Sequence, residues 1–148
     1  MNRKEIIVNI DGKPIALSRP RFRRIKKGVM CYNAQSEDEN KFKFEVSKQI
    51  SDEDKEFIAS LKDKTHYVEI NCVFAIKIQS AGSKKSKDEK RAGNILPDTR
   101  PDIDNYIKFV LDSIHDVIYD DDKIVTGVSA KKIYADEPYT NIKITYIY

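Results

Sequence analysis

The sequence is poor in the residues that build zinc sites and disulfide scaffolds. Its 148 residues include two cysteines, Cys31 and Cys72, and two histidines, with no Cys-x-x-Cys pair and no Cys/His cluster. This composition argues against a structural zinc site. We expect both cysteines to be reduced thiols in a cytoplasmic protein.

Long apolar runs and phosphate-binding glycine loops are also missing. The apolar run at residues 6–10 is too short for a signal peptide or a membrane span. The five glycines form no loop of the P-loop or Rossmann type. A Mg²⁺-dependent phosphoryl-transfer enzyme acting on nucleotides therefore has little support from the sequence.

Charge is abundant and unevenly distributed. Charged residues make up 34% of the chain, with a net charge of +3. Residues 98–122 nevertheless contain eight acids and two bases. Such a stretch repels itself unless a positive charge sits in it, and a divalent cation bound by carboxylate oxygens is one candidate.

The apolar residues in this stretch recur at the spacing of one face of an α-helix. They are Ile103, Ile107, Val110, Leu111, Ile114 and Ile118. Asp102 is suited to the N-cap, so that Asp102 and Asp104 project from the first turn, where the helix dipole favours negative charge. The helix is predicted to end near Ile118, and residues 120–122 to lead into a strand over residues 123–134. If that strand packs beside the helix start, three carboxylates can converge.

Two simpler interpretations of these acids remain open. Asp102 could serve only as a helix cap, and the run at residues 120–122 could be a solvated turn. A calcium-binding EF-hand does not fit, because Tyr106 stands in place of an oxygen ligand, Ile107 in place of the glycine, and no glutamate ends the loop.

Two motifs resemble the signature of RusA-type Holliday junction resolvases, which are small and often phage-borne endodeoxyribonucleases. Residues 100–108 read Arg-Pro-Asp-Ile-Asp-Asn-Tyr-Ile-Lys, and residues 120–125 read Asp-Asp-Asp-Lys-Ile-Val. The family pattern is Pro-Asp-x-Asp-Asn-x-x-Lys, a helix, and then Asp-Asp-x-Gln/Lys-Ile/Val. One departure is visible, since the family often has a glycine turn where this chain has His115-Asp116-Val117.

The resemblance implies a magnesium-dependent homodimer that nicks branched DNA, with Mn²⁺ as a possible substitute for Mg²⁺. Carried over residue by residue, it implies catalytic roles for Asp102, Asp104, Lys108 and Asp121. Asp102, Asp104, Asp121 and Asp120 are the implied metal ligands, with the choice between Asp120 and Asp121 as principal ligand left open. Asn105 could fix a carboxylate or cap the helix. A four-way junction needs two symmetric nicks, which also favours a twofold dimer.

Two basic segments are candidates for contact with the DNA backbone. The basic arm, residues 13–28, has seven bases and no acid, and the basic loop, residues 80–99, is rich in Gly, Ser and Lys and is expected to be flexible. The predicted DNA-binding residues are Lys13, Arg19, Arg21, Arg23, Arg24, Lys84, Lys85, Lys87 and Arg100. A solvated surface is the simpler interpretation of both segments.

The remaining patterns predict an α+β fold in a single domain over residues 1–148. The order is β-α-β-α-β-β, a small mixed sheet with helices on one face. Residues 66–79 alternate strictly and place Cys72 in the core. The last two strands, over residues 123–134 and 139–148, are predicted to form an antiparallel hairpin.

The leading hypothesis is therefore a Mg²⁺-dependent, structure-selective endodeoxyribonuclease of a bacterium or phage that resolves Holliday junctions and other branched DNA. The alternative is a catalytically inactive module that binds DNA junctions. Metal binding separates the two, because a module without catalysis has no need of Mg²⁺.

Overall fold

The computed structural model of the protein describes residues 1–18, 21–32 and 34–148, and only the backbone of Arg21. The described residues form a four-stranded sheet, a two-stranded hairpin and four α-helices. The strands are β1 (Arg3–Asp11), β2 (Arg21–Ile25), β3 (Gly28–Tyr32), β4 (Tyr67–Lys77), β5 (Val125–Ala135) and β6 (Tyr139–Ile147). The helices are α1 (Ser36–Gln49), α2 (Asp52–Ser60), α3 (Lys84–Ala92) and α4 (Ile103–Ile114). The α+β class and the mixed sheet are confirmed.

The main sheet has the strand order β1-β6-β4-β5. Strand β6 is antiparallel to both β1 and β4, whereas β5 is parallel to β4. The predicted hairpin of the last two strands is therefore wrong, because β4 lies between β5 and β6. A parallel β4–β5 pair needs a crossover connection, which α3 and α4 supply.

The core lies between one face of this sheet and the helices. The strict alternation in β4 buries Val68, Ile70, Cys72 and Phe74, as predicted. Strand β6 buries Ile142, Ile144 and Tyr146 on the same side. Removal of each such side chain from water stabilises the fold by about 1.5–3 kcal/mol. Burial raises the pKa of the Cys72 thiol to about 12, so this cysteine is a core residue and is protonated at neutral pH.

Helix α4 packs on the sheet through aromatic side chains. The ring of Tyr106 stacks on Phe74 at 4.9 Å, and Phe109 meets Phe42 of α1 edge to face at 5.4 Å. The helix ends at Ile114, four residues before the predicted end, because Asp116 adopts a left-handed conformation with φ of +69°. The chain then turns sharply.

Two segments contain structure that the sequence patterns did not predict. The basic arm contains β2, which pairs with β3 in a hairpin that is separate from the main sheet. The basic loop contains α3, which has Ser83 as its N-cap and the left-handed Gly93 as its C-cap. No helix formed by the described residues has both the length and the apolar character needed to cross a bilayer.

Candidate functional site

The first turn of α4 presents two carboxylates to solvent. Asp102 is the N-cap residue, but its side chain makes no capping hydrogen bond; its backbone carbonyl accepts from the amides of Asn105 and Tyr106. Both Asp102 and Asp104 are exposed. Their oxygens therefore remain available to a ligand at the positive end of the helix dipole.

Lys108 lies one turn beyond Asp104 on the same exposed stripe. Its Nζ is 3.7 Å from Asp104 Oδ2, and both side chains are more than half exposed. An ion pair of this length in solvent contributes at most tenths of a kcal/mol. The ammonium group is thus free to turn towards an anion near Asp104.

The base of the basic arm is fixed beside this turn. The amide of Leu17 donates to the carbonyl oxygen of Asn105 at 2.9 Å. Gln35, three residues after β3, accepts from the Ser18 amide and donates to the Ala16 carbonyl oxygen. These contacts hold the segment before β2 next to the start of α4 and join it to the segment after β3. The side chain of Asn105 makes no hydrogen bond with the described residues, so only its backbone has an observed role.

A lysine that the sequence interpretation missed holds the segment leading into α4. Lys132 Nζ donates to the carbonyl oxygens of Thr99 at 2.8 Å and Pro101 at 3.2 Å. Lys132 is half-buried in β5, in the same alternation phase as Val128 and Ala130. The sequence did contain a signal for this role. A lysine that falls in phase with the apolar residues of a strand needs polar partners for its ammonium group.

Asp121 caps the short 3₁₀ turn at residues 122–124. Its Oδ1 accepts from the Lys123 amide at 3.0 Å, and its Oδ2 lies 2.9 Å from Lys123 Nζ. Hydrogen bonds from the Lys123 side chain and amide lower the pKa of Asp121 below its ordinary value. Asp121 is thus ionised and exposed, and its side chain caps the turn, a role that the sequence analysis did not assign to it.

Asp120 and Asp121 lie with Lys123 and His66 along a cleft of about 800 Å³ between α2, the start of β4 and the turn after α4. His115, directly after α4, lies 3.0 Å from Asp116 and 3.8 Å from Asp122. Residues 116–122, the acidic turn, therefore lie at the C-terminal end of α4.

The two acidic groups lie at opposite ends of α4. The eleven residue steps from Asp104 to His115 span about 16 Å along the helix. In β5, Lys132 contacts the segment that leads into α4. The seven residue steps from Val125 to Lys132 span about 23 Å. Carboxylates that share one Mg²⁺ must each place an oxygen about 2 Å from it. Asp102 and Asp104 have the hard oxygen donors that Mg²⁺ prefers, but Asp121 cannot join them within one chain. Accordingly, the described residues contain no group of three or more acids, histidines or cysteines able to hold a metal.

The predicted DNA-binding residues fall into three places. Lys13 and Arg100 line a cavity beside Asp102. Arg23 and Arg24 are exposed on the hairpin, where the backbone of Arg21 pairs with Tyr32, and Arg19 lies outside the described residues.

The third place is helix α3, whose first turns carry Lys84, Lys85 and Lys87. The last turn of α3 docks on β5. Lys90 lies 4.8 Å above the ring of Tyr134, and Arg91 Nε is 2.9 Å from Asp136 Oδ1. The first turns of α3 are therefore the part of the basic loop that remains available to DNA.

The chain is similar to a curated protein and to a family model. A stretch of 64 residues is 39% identical to the uncharacterised protein YqaN of Bacillus subtilis (strain 168), and covers 43% of this chain and 45% of that protein. The chain thus spans less than half the length of this curated relative. Residues 11–145, nearly the whole chain, match the family model of endodeoxyribonuclease RusA. The protein therefore belongs to the RusA family of endodeoxyribonucleases.

Proposed function

We propose that the protein is an endodeoxyribonuclease that resolves Holliday junctions and related branched DNA by paired, symmetric nicks. The observation that carries the proposal is the start of α4, where Asp102 and Asp104 present carboxylates that no capping bond occupies. Lys108 and the base of the basic arm flank them. The family match covers this whole region.

The chemistry required is the hydrolysis of an anionic phosphodiester. A Mg²⁺ ion bound by Asp102 and Asp104 would lower the pKa of a water molecule and offset charge on the phosphate. Lys108 would place its ammonium group near the scissile phosphate, because it is held only loosely by Asp104. The cations of the arm and of α3 would hold the flanking phosphates.

A homodimer would complete the site. Since α4 separates Asp104 from Asp121 within one chain, Asp121 can assist cleavage only if a second copy brings it to the start of α4. A twofold axis that joins the α4 start of one copy to the acidic turn of the other creates two equal sites. Two equal sites match a junction that needs two symmetric nicks.

The test is cleavage of an end-labelled synthetic four-way junction and of a linear duplex of the same sequence, with Mg²⁺ and with EDTA. We expect paired nicks in the junction only, and none with EDTA. Asp104→Asn should lower the rate on the order of a hundredfold or more. It should keep or improve binding to the junction, because it removes one repulsive charge.

Asp112→Asn is the matched control for this test, since it makes the same charge change on an exposed position of the same helix. It should leave cleavage unchanged. Equal loss of cleavage in both variants would indicate a general effect of charge and would remove the catalytic role of Asp104.

The alternative is a module that binds junctions without cutting them. One observation favours it, namely that the acids of a single chain do not converge. Tight binding to the junction with no nicking in Mg²⁺ or Mn²⁺ would establish this alternative.

A further inference from the structure

A cavity of about 350 Å³ lies against the segment that leads into α4. Its walls come from the start of the basic arm, the end of β4, residues 99–101 and β5. The basic side chains around it are Lys13, Lys77, Arg100 and Lys132. Lys13 and Arg100 were predicted from the sequence to contact DNA, whereas Lys77 and Lys132 were not.

The charge around this cavity is of one sign. Among the described residues none that lines it is acidic, and the polar lining is completed by Gln79 and Thr99. None of the four cations makes an ion pair with a described residue. The larger cleft beside Asp121 differs, since acids and lysines both line it. Four positive charges around one concave surface repel each other unless an anion enters.

Lys132 limits which anion can enter. Two of the three donors of its ammonium group are used by the carbonyl oxygens of Thr99 and Pro101. The remaining donors belong mainly to Lys13, Lys77 and Arg100, all of which are exposed. Three prolines, Ile76 and Tyr106 form the apolar part of the wall. A phosphate with an attached sugar suits such a mixture of donors and apolar surface.

We propose that this cavity binds a backbone phosphate of the DNA strand whose neighbouring phosphate lies at Asp102 and Asp104. The inference rests on the proposed function. Arg100 and Pro101 line the cavity and are directly followed by Asp102, so a strand held here passes the first turn of α4. Binding of this phosphate fixes the register of the strand relative to the carboxylates, as backbone contacts do in general.

The test compares two double variants of equal charge. Lys13→Gln with Lys77→Gln removes two cations from the cavity, and neither lysine has a partner among the described residues. Lys41→Gln with Lys48→Gln is the control, because these lysines lie on α1 in exposed ion pairs that contribute little to stability. Thermal unfolding of both confirms that the fold is kept.

Binding of the four-way junction is measured by fluorescence anisotropy from 50 to 200 mM salt. The cavity variant should bind about tenfold more weakly, and the slope of log K against log salt should fall by about 1, as expected for one lost phosphate contact. The control should keep the slope of the wild type. Equal slopes in the two variants would overturn the inference.

Junctions with single methylphosphonate linkages, which remove the charge of one phosphate, then locate the contact. Wild type should lose affinity at one position next to the cleavage site, and the cavity variant should be insensitive at that position. Inorganic phosphate serves as a competitor. If it protects wild type from unfolding while both variants bind the junction like wild type, then the cavity takes free phosphate and the assignment to DNA is wrong.

The outcome is separable from that of the proposed function. If the wild-type protein never nicks but shows the position-specific effect, the phosphate site is supported and the nuclease function is rejected. If it nicks junctions and shows no such effect, the nuclease function is supported and the phosphate site is rejected.

Discussion

At the scale of single residues, Lys132 is the side chain that fixes the approach to α4. It satisfies two carbonyl oxygens, one on each side of Arg100, that no other described group contacts. Because Asp102 follows Pro101 directly, the position of its carboxylate depends on this lysine. Lys132 thus acts as a positioning residue for the carboxylates.

Replacement of Lys132 by Met should therefore affect both stability and cleavage. Loss of two hydrogen bonds from a charged donor is expected to destabilise the protein by about 1–3 kcal/mol, which denaturant unfolding measures. The rate of nicking under saturating enzyme should also fall, since Asp102 is less well placed. Lys131→Met is the matched control, because Lys131 is the exposed neighbour on β5. Equal effects of the two substitutions would contradict the positioning role.

Residue types and their spacing were sufficient to predict that Asp102 and Asp104 lie at a helix start, because the apolar residues that follow them recur at helical spacing. They did not show that Asp102 makes no capping bond, which depends on side-chain geometry. They also did not show the contacts of Lys132, whose partners are 33 and 31 residues away in sequence. The roles assigned to Asp104, Lys108 and Asp121 stay predictions.

At the scale of elements, the turn after α4 shows how the chain replaces a glycine. Asp116 has φ of +69°, and its amide donates to the Tyr119 carbonyl oxygen at 2.8 Å. Tyr119 is buried, and its hydroxyl donates to the Leu111 carbonyl oxygen at 2.9 Å. The left-handed residue lets Ile118 and Tyr119 return to the core directly after the helix.

Asp116→Gly should stabilise the protein by about 0.5 kcal/mol, because glycine adopts this conformation without steric cost. Asp116→Ala should destabilise it by about 1 kcal/mol, since alanine tolerates positive φ less well than aspartate. Both values come from urea unfolding. A glycine variant less stable than wild type would show that the contact of Asp116 with His115 outweighs the backbone term.

The same helix shows where periodicity misleads. Of the predicted apolar face, Val110, Ile114 and Ile118 are buried, whereas Ile103, Ile107 and Leu111 are only partly buried. Tyr106 and Phe109, which were not part of the predicted face, are buried as well. The α4 helix is apolar on most of its circumference, so spacing alone could not predict which side of it faces the core. The contacts of Phe109 with Phe42 and of Tyr106 with Phe74 determine that side.

At the scale of the whole molecule, the sheet order sets the distance between the two acidic groups. The sequence allowed three carboxylates to converge only if the strand after residues 120–122 packed beside the helix start, and local patterns could not reveal that this strand is parallel to β4. A parallel β5 begins at the C-terminal end of α4 and leads away from Asp121. The carboxylates of one chain therefore stay apart.

Complementation between two inactive variants tests the proposed shared site. Asp104→Asn and Asp121→Asn homodimers should each fail to nick junctions. After subunit exchange, half of the dimers are mixed, and each mixed dimer has one site with both acids intact and one site with neither, so about a quarter of the wild-type sites return. The readout is single-strand nicking of the labelled junction without paired cuts.

Exchange of Asp104→Asn with Asp102→Asn is the control, because both substitutions lie at the same end of α4. Every site of such a mixed dimer lacks one acid whether the site is shared or not, so no nicking should return. If the first mixture also stays inactive while a tagged wild-type subunit is shown to exchange, Asp104 and Asp121 do not act in one site shared between chains. The loss of cleavage in Asp121→Asn would then come from loss of its cap on the 3₁₀ turn, which is the role its observed contacts already give it.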